Sequence, residues 1–376
     1  MILVLATAAF ATRVLSQTGG AEAQREDPWK RMEVGTTASF RGLSAVSADV
    51  VWASGTGGTM IRTVDGGRTW DVRVVAGAEQ QDFRGIRAFD ADNAVIMSTG
   101  NAEKGLATIY RTSDGGKTWV LAFAPKTTGV FFDSIAFWDR KRGVVLSDPV
   151  DGKFVLFRTA NGGATWTQIP PVKLPAALKG EGAFAASNSC IAVQGEKNIW
   201  FVTGGASVAR VFRSNDGGET WDVAETPVRP GNASSGLFSV AFNSFSPQWG
   251  IAVGGDYAQP TSSPAPNMVQ THDGGKTWEI LDEPTYSVSA VDGKSQVINE
   301  TERSRSLFLS SVAFLPVPGI FTGEGYLWAA GPGGAIIWRA ARQWVNASGS
   351  GFNVIAIPSP DSVWAVGPKG FVARRD

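Results

Sequence analysis

The sequence predicts an all-β protein, a seven-bladed β-propeller of four-stranded blades, and three observations carry that prediction. The first is a repeat: Val64-Asp65-Gly66-Gly67-Arg68-Thr69-Trp70, Ser113-Asp114-Gly115-Gly116-Lys117-Thr118-Trp119, Ala160-Asn161-Gly162-Gly163-Ala164-Thr165-Trp166, Asn215-Asp216-Gly217-Gly218-Glu219-Thr220-Trp221 and His272-Asp273-Gly274-Gly275-Lys276-Thr277-Trp278. The second is its period, because the five Trp residues lie 49, 47, 55 and 57 residues apart, close to one propeller blade of about 40 to 50 residues. The third is composition: 45 Gly and 14 Trp in 376 residues read as short strands joined by glycine turns, with large aromatics filling the space between sheets.

The first 27 residues are set apart from this body. Residues 1–10 are apolar but too short to span a bilayer, which takes about 20 such residues; Ala21-Glu22-Ala23 before Gln24 has the form of a signal cleavage site. The segment 1–27 therefore reads as an export signal or as a retained apolar tail, whose residues 1–15 would touch a membrane. Either reading places the body, one propeller domain over residues 28–376, on the exported side.

Each repeat is a hairpin turn between the third and fourth strands of a blade. The Asp or Asn accepts backbone N–H bonds across the turn and the glycines take positive φ, so Asp65, Asp114, Asn161, Asp216 and Asp273 are structural turn residues. This is the Asp box of BNR-type propellers. Upstream of each box lies a pair of strands, over residues 40–46 and 50–55, 83–89 and 94–100, 131–137 and 143–147, 184–193 and 199–204, and 237–242 and 250–255. Two further pairs, 307–314 with 326–331 and 352–357 with 362–367, lack a box; they bring the blades to seven, or to six if the first of them folds otherwise. The last unit stops before its fourth strand, and residues 28–39, which resemble the segment after a box, supply it and remove the exposed edge of the ring.

Chemistry is constrained by what is scarce. Equal numbers of basic and acidic residues, 34 each, give no field to attract nucleic acid. One Cys and one His exclude disulfide frameworks, Cys/His zinc sites and most Ser-His-Asp or Cys-His centres; Cys190 reads as a buried small hydrophobe and His272 as turn filler. No cofactor or metal is implied. In a propeller, ligands bind where the innermost strands begin and the loops between second and third strands emerge. The first class of position gives Arg41, Asp82, Arg84, Asp133 and Glu181, and the second Glu103, Lys104, Asp148, Asp151, Lys153, Arg210, Asp256, Tyr257 and Lys369. Arg41, Arg84, Asp148, Asp151, Asp256 and Tyr257 are the candidate contact residues. The segment 286–306 reads as a lid or docking loop, and 257–268, rich in Pro and Ser, as a second insertion.

The Arg-Thr-x-Asp-Gly-Gly-x-Thr-Trp units, with strands such as Val51-Trp52-Ala53-Ser54-Gly55 and Val363-Trp364-Ala365-Val366-Gly367, resemble the photosystem II stability/assembly factors of plants and cyanobacteria and their bacterial relatives. The resemblance covers residues 28–376. It implies a non-catalytic, peripheral membrane-associated assembly or accessory subunit in the periplasm or its thylakoid-lumen equivalent, binding a membrane-protein complex of photosynthesis, in part through arginines; Arg41 and Arg84 are the residues to align with that patch. The competing class is a sialidase-like or other carboxylate-dependent glycoside hydrolase. A sialidase needs an arginine triad, a Tyr activated by Glu and an acidic proton donor. Here the Phe-Arg-Ile-Pro entry is missing, and of the four tyrosines only Tyr257 falls at the channel mouth.

Overall fold

The computed structural model describes residues 29–263, 266–281, 307–316, 327–339, 343–348 and 351–376; the readings of 1–27 and of 286–306 lie outside the described residues. Strand β1 (Lys30–Met32) comes first. Blade 1 follows as β2 (Phe40–Ala45), β3 (Val51–Gly55), β4 (Thr59–Thr63) and β5 (Asp71–Val74), and blade 2 as β6 (Asp82–Ala88), β7 (Ala94–Thr99), β8 (Thr108–Thr112) and β9 (Val120–Phe123). Blade 3 is β10 (Phe132–Phe137), β11 (Gly143–Val150), β12 (Lys153–Thr159) and β13 (Thr167–Gln168), and blade 4 is β14 (Ile191–Gln194), β15 (Asn198–Val202), β16 (Arg210–Ser214) and β17 (Asp222–Glu225). Blade 5 is β18 (Ser235–Phe242), β19 (Gly250–Asp256), β20 (Met268–Thr271) and β21 (Glu279–Ile280), and blade 6 is β22 (Ser311–Phe314), β23 (Leu327–Gly331), β24 (Gly334–Arg339) and β25 (Gln343–Ser348). Blade 7 holds β26 (Val354–Ser359), β27 (Ser362–Val366) and β28 (Val372–Arg375), with β1 on its outer edge.

All seven sheets are antiparallel meanders of four strands, and the innermost strands β2, β6, β10, β14, β18, β22 and β26 touch in a closed circle. The unit beginning at 307 thus folds as a full blade without its box. The ring closes as the sequence predicts, with Lys30, Arg31 and Met32 opposite Arg374, Ala373 and Val372. Trp29 locks the seam edge-on to Trp328, with ring centroids 5.7 Å apart, and 4.8 Å from Phe352. Val34, 3% exposed, packs with Phe40, Trp364 and Val372.

The core lies between blades, not within them. Second strands are buried along their length, as in β3, β23 and β27, while outer strands such as β5 alternate half-buried and exposed residues. Trp52, Trp200 and Trp364 on second strands are fully buried. Trp52 donates its indole N–H to the Asp90 carbonyl of the next blade at 3.1 Å, and Trp200 to Gly274 at 2.9 Å.

The four Asp-Gly-Gly turns share one hydrogen-bond pattern, and the Asn161 turn keeps it except that its amide Nδ2 donates to Thr165 Oγ1 at 2.9 Å. In blade 1, Asp65 Oδ1 accepts from Thr69 N at 2.9 Å, Oδ2 from Thr69 Oγ1 at 2.6 Å, and Thr63 Oγ1 accepts from Gly67 N at 2.9 Å. Gly66 and Gly67 hold φ of 71° and 86°, where a side chain is strained. Hydrogen bonds from Thr69 and Thr63 bring the Asp65 carboxyl down to about 2, as Thr118 does for Asp114. The Thr or Ser two residues before the Asp is thus as much part of the turn as the Asp itself.

Candidate binding face and central channel

The side chains that face the axis are aimed by bulges. The pairing of β2 with β3 shifts register between Phe40 and Gly42, of β6 with β7 between Phe83 and Gly85, of β10 with β11 between Phe132 and Ser134, and of β18 with β19 between Leu237 and Ser239. An extra residue at such a point leaves the ladder and its side chain is re-aimed; here those residues are Arg41, Arg84, Asp133 and Phe238. The residue after each bulge is small because the innermost strands crowd together. A Cβ on Gly42 would collide with Ser54 Oγ and lie 3.2 Å from the backbone of Gly85.

Blade 4 departs from this scheme. The sequence predicts its inner strand over 184–193, but only Ile191–Gln194 is strand, and the residues before it pass across the channel. Gly182 exchanges backbone bonds with Gly204, which also bridges to Gly236. Phe184 then stacks on Phe238 with centroids 3.9 Å apart. The Ala185 carbonyl accepts from Arg84 at 3.0 Å and the Ala186 carbonyl from Arg41 at 3.4 Å. Ser187 Oγ donates to the Ser310 carbonyl, and Asn188, at φ 60°, accepts from Ile135 N at 2.8 Å. A run of Ala, Ser and Asn is small enough to fill a channel that no regular strand could enter, so this segment is a plug tied to most of the ring.

Arg84 also pairs with Asp82 at 2.7 Å, both side chains being about a quarter exposed. Arg41 has no ion-pair partner within 4 Å among the described residues. Burial and the adjacent Arg84 charge lower its pKa, with Asp82 opposing. Two cations therefore stand together on one side of the mouth, while Phe184, Phe238, Phe308 and Tyr257 form a largely buried aromatic cluster on the other. Tyr257 is 55% exposed.

The carboxylates hold the architecture of this face. Asp148 accepts from Ala183 N at 2.9 Å and anchors the plug; burial, partly offset by that bond, pushes its pKa up to about 6. Asp133 is 1% exposed with neither carboxyl oxygen hydrogen-bonded among the described residues, and burial, then the Asp148 charge, raises its pKa against the pull of Arg84. Glu181 and Arg210, absent from the contact set the sequence picks out, form a buried two-point pair, further tied by Thr203 Oγ1 at 2.7 Å to Glu181 and by Arg210 to the Ala176 carbonyl at 2.8 Å. Asp256 is fully buried and accepts from Asn232, Ser234 Oγ and Ala258 N. Asp151 is exposed at the tip of a hairpin, where it and Gly152 take φ of 51° and 74°. Glu103 accepts from Gly129 N, and Lys153 donates to the Leu174 carbonyl. Lys369, also exposed, occupies a turn at φ 55°.

Cys190 is fully buried, and burial raises its thiol pKa. His272 is exposed, with its ring parallel to that of Trp249.

No protein-family model matches the chain, and none of the curated proteins does. Among solved structures, YCF48 from Cyanidioschyzon merolae superposes with a TM-score of 0.60 at 16% identity, covering 92% of this chain and 98% of that one. The WD40 β-propeller domain of Doa1 gives 0.50 at 11% identity, covering 92% and 94%. What the chain has in common with both is the ring of four-stranded blades.

Proposed function

We propose that the protein is a non-catalytic accessory or assembly subunit that docks a membrane-protein complex on the exported side of a membrane, and that the complex belongs to photosynthesis. The observation that carries this reading is the pair Arg41 and Arg84, set by bulges on adjacent innermost strands, facing the exposed Tyr257 on its buried aromatic cluster across a plugged channel. Arginine and aromatic side chains are the residue types that dominate protein interfaces. The neighbouring carboxylates hold loops and plug through intrachain bonds. The resemblance of the repeat units to the photosystem II assembly factors supports the same reading, as does the rigidity of a closed ring. An apolar tail over residues 1–15 would bring the disc to the bilayer.

Charge reversal tests it. Arg41→Glu with Arg84→Glu should abolish co-purification with the membrane complex from solubilised native membranes, and should also lower the melting temperature because both side chains hold the plug, while circular dichroism still shows a folded ring. Unchanged co-purification by the folded double variant would remove the proposal. The glycosidase reading would replace it if pure protein turned over aryl glycosides and Asp148→Asn or Asp256→Asn ended that turnover.

A further inference from the structure

On the face of the Asp/Asn-Gly-Gly turns, opposite the channel mouth, the grooves between blades are filled by a second repeat. In blade 1, Trp52 stands opposite Arg62 across β3 and β4, and the guanidinium lies 5.4 Å from the ring. In blade 7, Trp364 stands opposite Arg374 at 5.5 Å. Each guanidinium then reaches a carbonyl of the next blade, Ala91 for Arg62 and Ala48 for Arg374, and Asp92 lies 3.7 Å from Arg62.

Blade 2 keeps the arginine and loses what it leans on. Val95 stands opposite Arg111. Lys141 takes the place that Asp92 holds one blade earlier, an equivalence set by the turns themselves, since Gly115 N–H donates to the Asp92 carbonyl and Gly162 N–H to that of Lys141. Among the described residues Arg111 makes no hydrogen bond, ion pair or ring contact. The exchange of Trp for Val leaves a cavity of about 420 Å³, lined by Phe89, Val95, Arg111, Arg140, Lys141 and Asn161. Arg140 is already paired with Asp90 at 2.5 Å; Arg111 and Lys141 are not matched by a carboxylate.

The next groove provides a control within the molecule. Val144 stands opposite Arg158 in blade 3 and leaves a cavity of the same size, yet there Arg158 is paired with Glu219 at 2.7 Å and Glu196 joins the lining. The void recurs, and Lys197 stands in the place of Lys141, but there the arginine is matched by a carboxylate.

We propose that the groove between blades 2 and 3 is a binding pocket for a small amphipathic carboxylate. An aromatic or branched apolar group occupies the space that a tryptophan ring fills in blades 1 and 7, and the carboxylate is held by the planar guanidinium of Arg111, which matches it with two parallel bonds, with Lys141 at the rim. The volume lies within the usual range for small-ligand sites, about 300 to 1,000 Å³. The proposal is independent of partner docking on the opposite face.

The experiment titrates the full chain with N-acetyl-L-phenylalanine and with its neutral amide, read by calorimetry and by saturation-transfer NMR. The acid should bind with a Kd of about 1 mM and the amide at least tenfold more weakly. Val95→Trp, which restores the residue of blades 1 and 7, and Arg111→Gln, which removes the charge, should each weaken the acid at least tenfold with circular dichroism unchanged. Equal binding of acid and amide, retention of binding by either folded variant, or no binding of the acid at about 10 mM would each overturn the proposal. Should Val95→Trp fail to fold, Arg111→Gln decides alone.

Discussion

Asp148 sits where burial and a backbone hydrogen bond pull its ionisation in opposite directions, and burial prevails, with a pKa of about 6. An unfolded chain returns it to the ordinary value near 4, so the native state binds the proton more tightly. The stability associated with this group therefore rises as pH falls through about 6 and is lost again on going back to neutral pH. The parent protein should gain melting temperature, relative to Asp148→Asn, when the pH is lowered from about 7.5 to about 5, because the Asn amide oxygen still accepts from Ala183 N but does not titrate. Scanning calorimetry of both proteins at both pH values checks this, and parallel shifts would refute it. The sequence picked out Asp148 by its position where the loop between second and third strands emerges. What it touches was not legible, since Ala183 belongs to a plug that exists only because the ring encloses a channel. Asp256 is a similar case: its partners Asn232 and Ser234 come from the preceding inter-blade loop, and no local pattern announces them. Arg41 and Arg84 were easier to read, because Phe-Arg-Gly occurs twice at the same point of the repeat.

At the scale of the element, the Asp/Asn-Gly-Gly turn was almost wholly legible because its bonds close within a few residues. Asp216 accepts from Glu219 N, Thr220 N, Thr220 Oγ1 and Ser214 Oγ. Asp216→Ala removes the acceptor that closes the turn and, since most of the donors then turn to water, should cost about 0.5–1.5 kcal/mol, measured as a lower urea midpoint, with binding by the folded protein unchanged. Loss of partner binding without loss of stability would contradict a purely structural role. The inner strand of blade 4 was misjudged in extent for the opposite reason. Its alternating apolar residues resemble a strand, but the backbone bridges from Gly182 through Gly204 to Gly236 and the stacking of Phe184 on Phe238 are long-range facts that divert the chain into the channel.

The whole molecule depends on a seam of three residue pairs between β1 and β28, backed by Trp29. The seven-fold count and the borrowed outer strand were both readable, because the two box-less units retain the second-strand pattern of the others and the last of them ends one strand short. Trp29, 7% exposed at the junction of blades 6 and 7, should cost about 3–5 kcal/mol when replaced by Ala, and deletion of residues 29–34 should cost more. Equal urea midpoints for parent and deletion would show that the ring closes in some other way. The seam also has a mechanical character that its chemistry does not advertise. Lys30 lies opposite Arg374 and Met32 opposite Val372, so the chain enters β1 and leaves β28 at the same end of the ladder. Tension applied through the two ends of the chain would fall on one residue pair after another, as in a zipper, instead of loading all three in parallel as shear would. Pulled in this way, the ring opens from the seam where β1 and β28 meet.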